Sequence, residues 1–127
     1  MWSPYFYYLN IVHDLELSVY CNTGELIRFL NTLPELQQID SFQFKSAGYL
    51  PFSVDMLLLN ARSYSSWSDL DTDLEKTNLI AMVCTKNTSE TFEQAKGILI
   101  KVAAFQNWQL INEYSDNDIE DDVIWGP

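Results

Sequence analysis

The sequence predicts an α+β domain in which two main helices cover one face of a mostly antiparallel sheet. Two stretches, following Asn22 and following Thr88, carry apolar residues at helical spacing, while most of the remaining apolar residues alternate with polar ones or form short continuous runs. A chain of 127 residues with 47% hydrophobic content and only four glycines and four prolines has enough apolar material for one ordinary core, so residues 1–127 are read as a single globular domain.

The first periodic segment is YFYYLNIVHDLELSVYC. Leu15, Leu17 and Val19 alternate with Glu16, Ser18 and Tyr20, and Tyr7, Leu9 and Ile11 are in phase with them, as in a half-buried strand. Phe6, Tyr8 and Val12 make the opposite face apolar too, so one long first strand is expected, covered on both sides in its N-terminal half. Asn22, three residues before Glu25, resembles a capping box for a helix that places Leu26, Ile27, Phe29, Leu30 and Leu33 inward and ends near Thr32-Leu33-Pro34. Thr32, Pro34 and Glu35 then favour a second short helical piece through PELQQI.

SFQFKSAGYL alternates Phe42 and Phe44 against Gln43 and Lys45, and Gly48 and Pro51 mark the connection to a second apolar run, SVDMLLLNARSY. The polar, acidic SSWSDLDTDLE reads as an exposed loop or short helical turn, and the uninterrupted TNLIAMVCTK as a strand near the middle of the sheet. Thr88 or Ser89 caps the second helix, with Glu90 and Glu93 in the first turn and Lys96 and Lys101 later, in agreement with the helix dipole. Its stripe is Phe92, Ala95, Leu99, Val102 and Ala103, widened by Ile98 and Phe105. Asn107 ends it, and WQLINEY begins a last strand. The order strand, helix, strand, strand, strand, helix, strand resembles a ferredoxin-like βαββαβ sandwich with an extra or elongated strand. Its uncovered face would present Tyr, Asn, Gln and Glu side chains, in part covered by the tail or by another subunit of a homodimer.

Eighteen acids against seven lysines and arginines give a net charge of −11, which opposes direct binding to nucleic acid or anionic membrane through a broad basic face. The charge is concentrated: Asp69, Asp71, Asp73 and Glu75 carry −4, and residues 113–127 carry −6. Without an apolar run approaching the roughly 20 residues of a membrane span, or a basic start followed by an apolar signal core, the expected location is cytoplasmic. Cys21 and Cys84 each close a hydrophobic run outside any CxxC motif, and free thiols are expected.

No sequence pattern points to catalysis, a metal or a cofactor. His13 is followed by Asp14, but neighbours on a strand point to opposite faces and would not hydrogen-bond to each other. DLDTDLE lacks the glycine of a calcium loop at its sixth position (Leu74) and the glutamate at its twelfth (Ile80). DNDIEDD fails in the same way at Asp121. Phosphate-binding glycine motifs, a GxSxG elbow and the aromatic strand pattern of RNA-binding sheets are missing as well. Carboxylates alone can carry acid–base chemistry, which leaves a carboxylate-based enzyme open, but no spacing in the sequence singles out a pair, and the chain is expected not to be an enzyme.

Both acidic runs have aromatic or apolar neighbours. Tyr64 and Trp67 precede Asp69, Asp71, Asp73 and Glu75; Tyr114 precedes Asp116, Asp118, Glu120, Asp121 and Asp122, which Val123, Ile124 and Trp125 follow. Aromatics anchor protein interfaces and clustered carboxylates steer a basic partner, so these residues are the candidate partner-binding set, and 113–127 reads as an acidic segment ending in an apolar anchor. In size, charge and exposed aromatics the chain resembles the small acidic bacterial immunity proteins that neutralise secreted or contact-delivered toxins, many of them basic nucleases. The resemblance rests on DLDTDLE, YSDNDIEDDVIW, Tyr64, Trp67 and Trp125. It implies a non-catalytic inhibitor that binds a basic toxin domain tightly, either filling the active site with carboxylates in place of phosphates or blocking a nearby surface. The alternative is a small-ligand-binding regulatory or sensor domain built on a ferredoxin-like sheet.

Overall fold

The computed structural model describes residues 3–127. In chain order its elements are β1 (Phe6–Val12), β2 (Cys21–Asn22), α1 (Thr23–Leu30), β3 (Leu36–Asp40), β4 (Gln43–Ser46), β5 (Val54–Leu59), β6 (Lys76–Thr77), β7 (Leu79–Thr85), α2 (Ser89–Gln106), β8 (Gln109–Tyr114) and β9 (Glu120–Trp125). Seven strands form one antiparallel sheet in the order β3-β4-β5-β7-β1-β8-β9, and β2 and β6 form a separate two-stranded ribbon.

This architecture replaces the expected ferredoxin-like βαββαβ sandwich with a wider, strand-rich sheet. Two segments account for the difference. PELQQI, read as helical, contributes β3, an edge strand in which only Leu36 is buried, so backbone pairing with β4 outweighs the helix-start signals of Pro34 and Glu35. The acidic tail supplies β9, which pairs with β8 from Leu110 opposite Trp125 to Tyr114 opposite Glu120.

The first strand is also shorter than expected. After Val12 the carboxylate of Asp14 accepts the Ser18 N–H at 3.0 Å and the Ser18 hydroxyl, and Leu17 turns at a φ of 55° to bury its side chain. A short acid that captures backbone and side-chain donors competes with strand pairing. Because this segment is a turn, His13 Nδ1 does reach Asp14 Oδ2, at 2.7 Å, contrary to the strand-based expectation.

Both helices start on side-chain caps. Asn22 Oδ1 accepts the Glu25 N–H at 2.9 Å for α1. For α2, Thr91 N–H donates to Thr88 Oγ1 at 3.2 Å while Thr88 N–H donates to Thr91 Oγ1 at 3.0 Å, and Asn107 closes the helix in the left-handed region at a φ of 64°.

Period-two alternation then divides the sheet into two faces. Leu9 and Ile11 of β1 lie in register with Met82 and Ile80 of β7, which lie in register with Met56 and Leu58 of β5. These residues form the main core with Leu26 and Leu30 of α1 and Leu99 and Val102 of α2. The intervening residues Asn10, Leu57, Ala81 and Ile111 belong to the other face. There a smaller cluster of Val12, Leu17, Leu59, Ala61, Leu79, Ala81 and Ile111 is joined by Leu57 and Tyr64, so one end of this face is roofed by the 60–75 loop.

That loop is tied to its base. Asn78 donates to the Ala61 carbonyl at 3.0 Å and accepts the Ala61 N–H at 2.8 Å, while the buried Thr23 hydroxyl donates to the Asp73 carbonyl at 2.9 Å.

Leu9→Ala should lower unfolding free energy by about 2–5 kcal/mol, because it empties a fully buried site between sheet and helices. Leu70→Ala, at a side chain 83% exposed, should change it by less than about 0.5 kcal/mol, and denaturant titration of both variants checks the contrast.

Candidate functional site

The roof does not extend over the whole of the second face. Beside it, Tyr8 and Asn10 of β1, Asp55 and Leu57 of β5, and Ala81 and Val83 of β7 meet across the ladders: Tyr8 opposes Val83, Asp55 opposes Val83, and Asn10 and Leu57 both oppose Ala81. With Gln43 of β4, Ile39 of β3, Glu113 of β8 and Trp67 from the loop they line a cavity of about 280 Å³. Its floor is apolar and its walls are aromatic and acidic. A second, more polar cavity of about 510 Å³ shares Trp67 and Glu113 and adds Tyr64, Ser65, Tyr114, Glu120 and Asp121. No lysine or arginine lines either cavity among the described residues, although Lys45 stands opposite Asp55 in the β4–β5 ladder.

A hydrogen-bonded chain holds the wall between the two cavities. Asn10 is only 2% exposed, and its amide nitrogen donates to Glu113 Oε2 at 2.8 Å and to Tyr64 Oη at 3.1 Å. Tyr64 in turn donates to Asp121 Oδ1 at 3.1 Å. Burial first, then the charge of Asp121, pushes the Tyr64 phenol well above its ordinary range, so it stays protonated and keeps donating. Three segments distant in sequence are thereby joined: β1, the loop and the β8–β9 hairpin.

Of the sequence-predicted residues, Tyr64, Trp67, Tyr114, Glu120 and Asp121 come together here. The others are placed elsewhere or used internally. Asp116, at the β8–β9 turn, accepts the Tyr7 hydroxyl at 2.5 Å and the Lys86 ammonium at 2.8 Å, and that ammonium also lies 4.7 Å from the centre of the Tyr7 ring. Asp118 occupies the same turn at a φ of 60°. Asp122 lies opposite Asn112, and Trp125 packs against the helix-side core.

In the loop, Asp71 accepts the Ser68 N–H at 2.9 Å. Asp73 accepts the N–H groups of Glu75 and Lys76, at 2.8 and 2.9 Å, and these backbone bonds lower its carboxyl below the usual range. Asp69 lines a separate shallow concavity beside Asp40 and Leu70, and the Glu75 carbonyl accepts the Thr23 N–H at 3.1 Å. DLDTDLE thus spends much of its acidity on shaping its own loop.

Sequence reasoning missed Tyr8, Asn10, Asp55 and Glu113. The available signal was Asn10, a lone amide inside the apolar run YYLNIV, which a strand can bury only with partners supplied from elsewhere. The described residues contain no group of three or more His, Cys, Asp or Glu side chains suited to a metal ion. Both cysteines are free, and burial pushes each thiol up to about 11, which leaves them largely protonated at neutral pH.

The Tyr7 phenol is pushed up to about 12 by burial and by its bond to Asp116. A raised folded-state pKa stabilises the protein fully below the ordinary phenol value near 10, and that contribution disappears as pH rises toward about 12. Tyr7→Phe should therefore reduce the loss of stability between pH 10 and 12, measured by denaturant unfolding at each pH against the parent chain.

Comparison with protein-family models, with curated proteins and with solved structures returned no match.

Proposed function

We propose that this chain is a non-catalytic binding protein that neutralises a basic protein partner, a toxin domain such as a nuclease, through the second face of its sheet. The observation that carries the reading is the paired concavity around Trp67, in which aromatic side chains alternate with Asp55, Glu113, Glu120 and Asp121 and no lining residue is basic among the described residues. Aromatic anchors set in acidic surroundings combine contact area with long-range attraction, the two requirements for fast and durable capture of a cationic surface. The role is that of a small acidic immunity protein and requires no reacting residue. The protein would act where its partner is found, taken here as the cytoplasm.

A second reading, a small-ligand-binding regulatory domain, draws on the smaller cavity alone, since an apolar floor with a few convergent polar groups is also how metabolite sites are built. Such a domain would gain thermal stability from a metabolite and need no protein partner.

The test uses the basic protein captured on the immobilised full-length chain. Its association rate should fall roughly tenfold or more as ionic strength rises to physiological values and beyond. The double variant Glu113→Gln and Asp121→Asn should flatten that salt dependence, whereas Glu90→Gln with Glu93→Gln, an equal loss of charge on α2, should leave it nearly intact. Equal effects from both pairs would reject the assigned face.

A further inference from the structure

We propose that the cavity beside Trp67 receives a single arginine side chain of the partner protein. This inference rests on the protein-binding reading and specifies the group that enters the face.

The first ground is size. About 280 Å³ lies just below the roughly 300–1,000 Å³ typical of sites for whole small molecules, and suits one long side chain. The second ground is the order of chemistry along the walls. Leu57, Ala81 and Val83 offer an apolar floor to an aliphatic stem, and Tyr8 and Trp67 offer aromatic surface to a flat cation. Asp55 and Glu113, on strands separated by β7 and β1, each offer the two acceptor oxygens of a carboxylate.

The third ground is the state of the buried amide. Both hydrogens of Asn10 are taken, one by Tyr64 and one by Glu113, so the side chain has only its carbonyl oxygen left to present to the cavity. Its bond to Oε2 also fixes the position of the Glu113 carboxylate before any ligand arrives. The cavity is thus rich in acceptors, preorganised, and lined by no cationic residue among those described. An anionic or donor-poor guest would leave these oxygens unpaired. Arginine fits better than lysine because a planar fork of five donors pairs with carboxylates two bonds at a time and stacks on aromatic rings, whereas an ammonium does neither and holds its water more tightly.

The experiment titrates the isotope-labelled full chain with acetylated, amidated Gly-Gly-Arg-Gly-Gly and with the same peptide carrying lysine or citrulline. The readouts are the Trp67 indole N–H and the backbone amides of Ala81 and Val83. The arginine peptide should give saturable shifts at these positions, with the lysine and citrulline peptides at least roughly fivefold weaker. Glu113→Gln keeps the acceptor for Asn10 while removing the charge, and should weaken the arginine peptide roughly tenfold without unfolding the chain. Asp55→Asn, on a side chain exposed to solvent, provides an independent second variant.

Absence of saturable shifts, or equal shifts from all three peptides, would overturn the proposal. So would agmatine binding more tightly than the peptide, which would make the cavity a site for a free small amine. If the captured partner needs this face but the peptide leaves the cavity signals unmoved, the arginine assignment fails and the protein-binding reading stands. If the peptide binds while no protein association depends on the face, the cavity assignment stands and the partner reading fails.

Discussion

Asn10 lies on β1 between two strands and is almost fully removed from water, so its amide must find partners inside the protein or cost on the order of 1–3 kcal/mol. Those partners come from opposite directions. Tyr64 reaches over from the loop between β5 and β6, and Glu113 comes from the neighbouring strand β8. Satisfying one amide therefore fixes where the loop crosses the sheet, and the position of the loop decides how much of this face is roofed and how much stays open. Trp67, three residues beyond Tyr64, stands at the boundary as a direct consequence.

The charge distribution follows from the same geometry. In sequence the acids form two blocks, but the fold does not present them as two blocks. Asp71 and Asp73 turn inward onto backbone donors of their own loop, and Asp116 is engaged by Tyr7 and Lys86 on the opposite side of the hairpin from Asp121. The negative surface around Trp67 is instead assembled from one acid each of β5 and β8 and two of β9, mixed with aromatic rings. Carboxylates set on rigid strands keep fixed positions relative to the rings beside them, which those of a flexible acidic tail would not.

The helices and central strands were legible because local chemistry and tertiary context agree there. Asn22, Thr88 and Asn107 occupy the caps their side chains favour, and LIAMVCT is apolar because both of its faces are covered or partly covered. The discrepancies arise where non-local pairing overrides local preference. β3 buries a single side chain and shows no alternation, and β9 opens with Glu120, Asp121 and Asp122, residues seldom chosen for strands. What places β9 is the turn before it, where the Ser115 hydroxyl accepts the N–H groups of Asn117 and Ile119 and the Ser115 N–H donates to the Ile119 carbonyl. The candidate face was half legible for a related reason: its aromatic and tail residues advertise themselves, but Asp55 and Tyr8 acquire meaning only when the register sets them beside Val83.

The two outer strands share a further property. β3 shifts register between Gln38 and Asp40, and β9 shifts opposite Leu110 and Ile111, with Asp121 in the left-handed region at a φ of 48°. An irregular, acid-bearing edge is a poor template for another strand, because an incoming chain finds neither an even ladder of donors and acceptors nor relief from like charge. The sheet's two edges thus resist pairing with one another, which keeps copies of the chain from stacking edge to edge into fibres as their concentration rises.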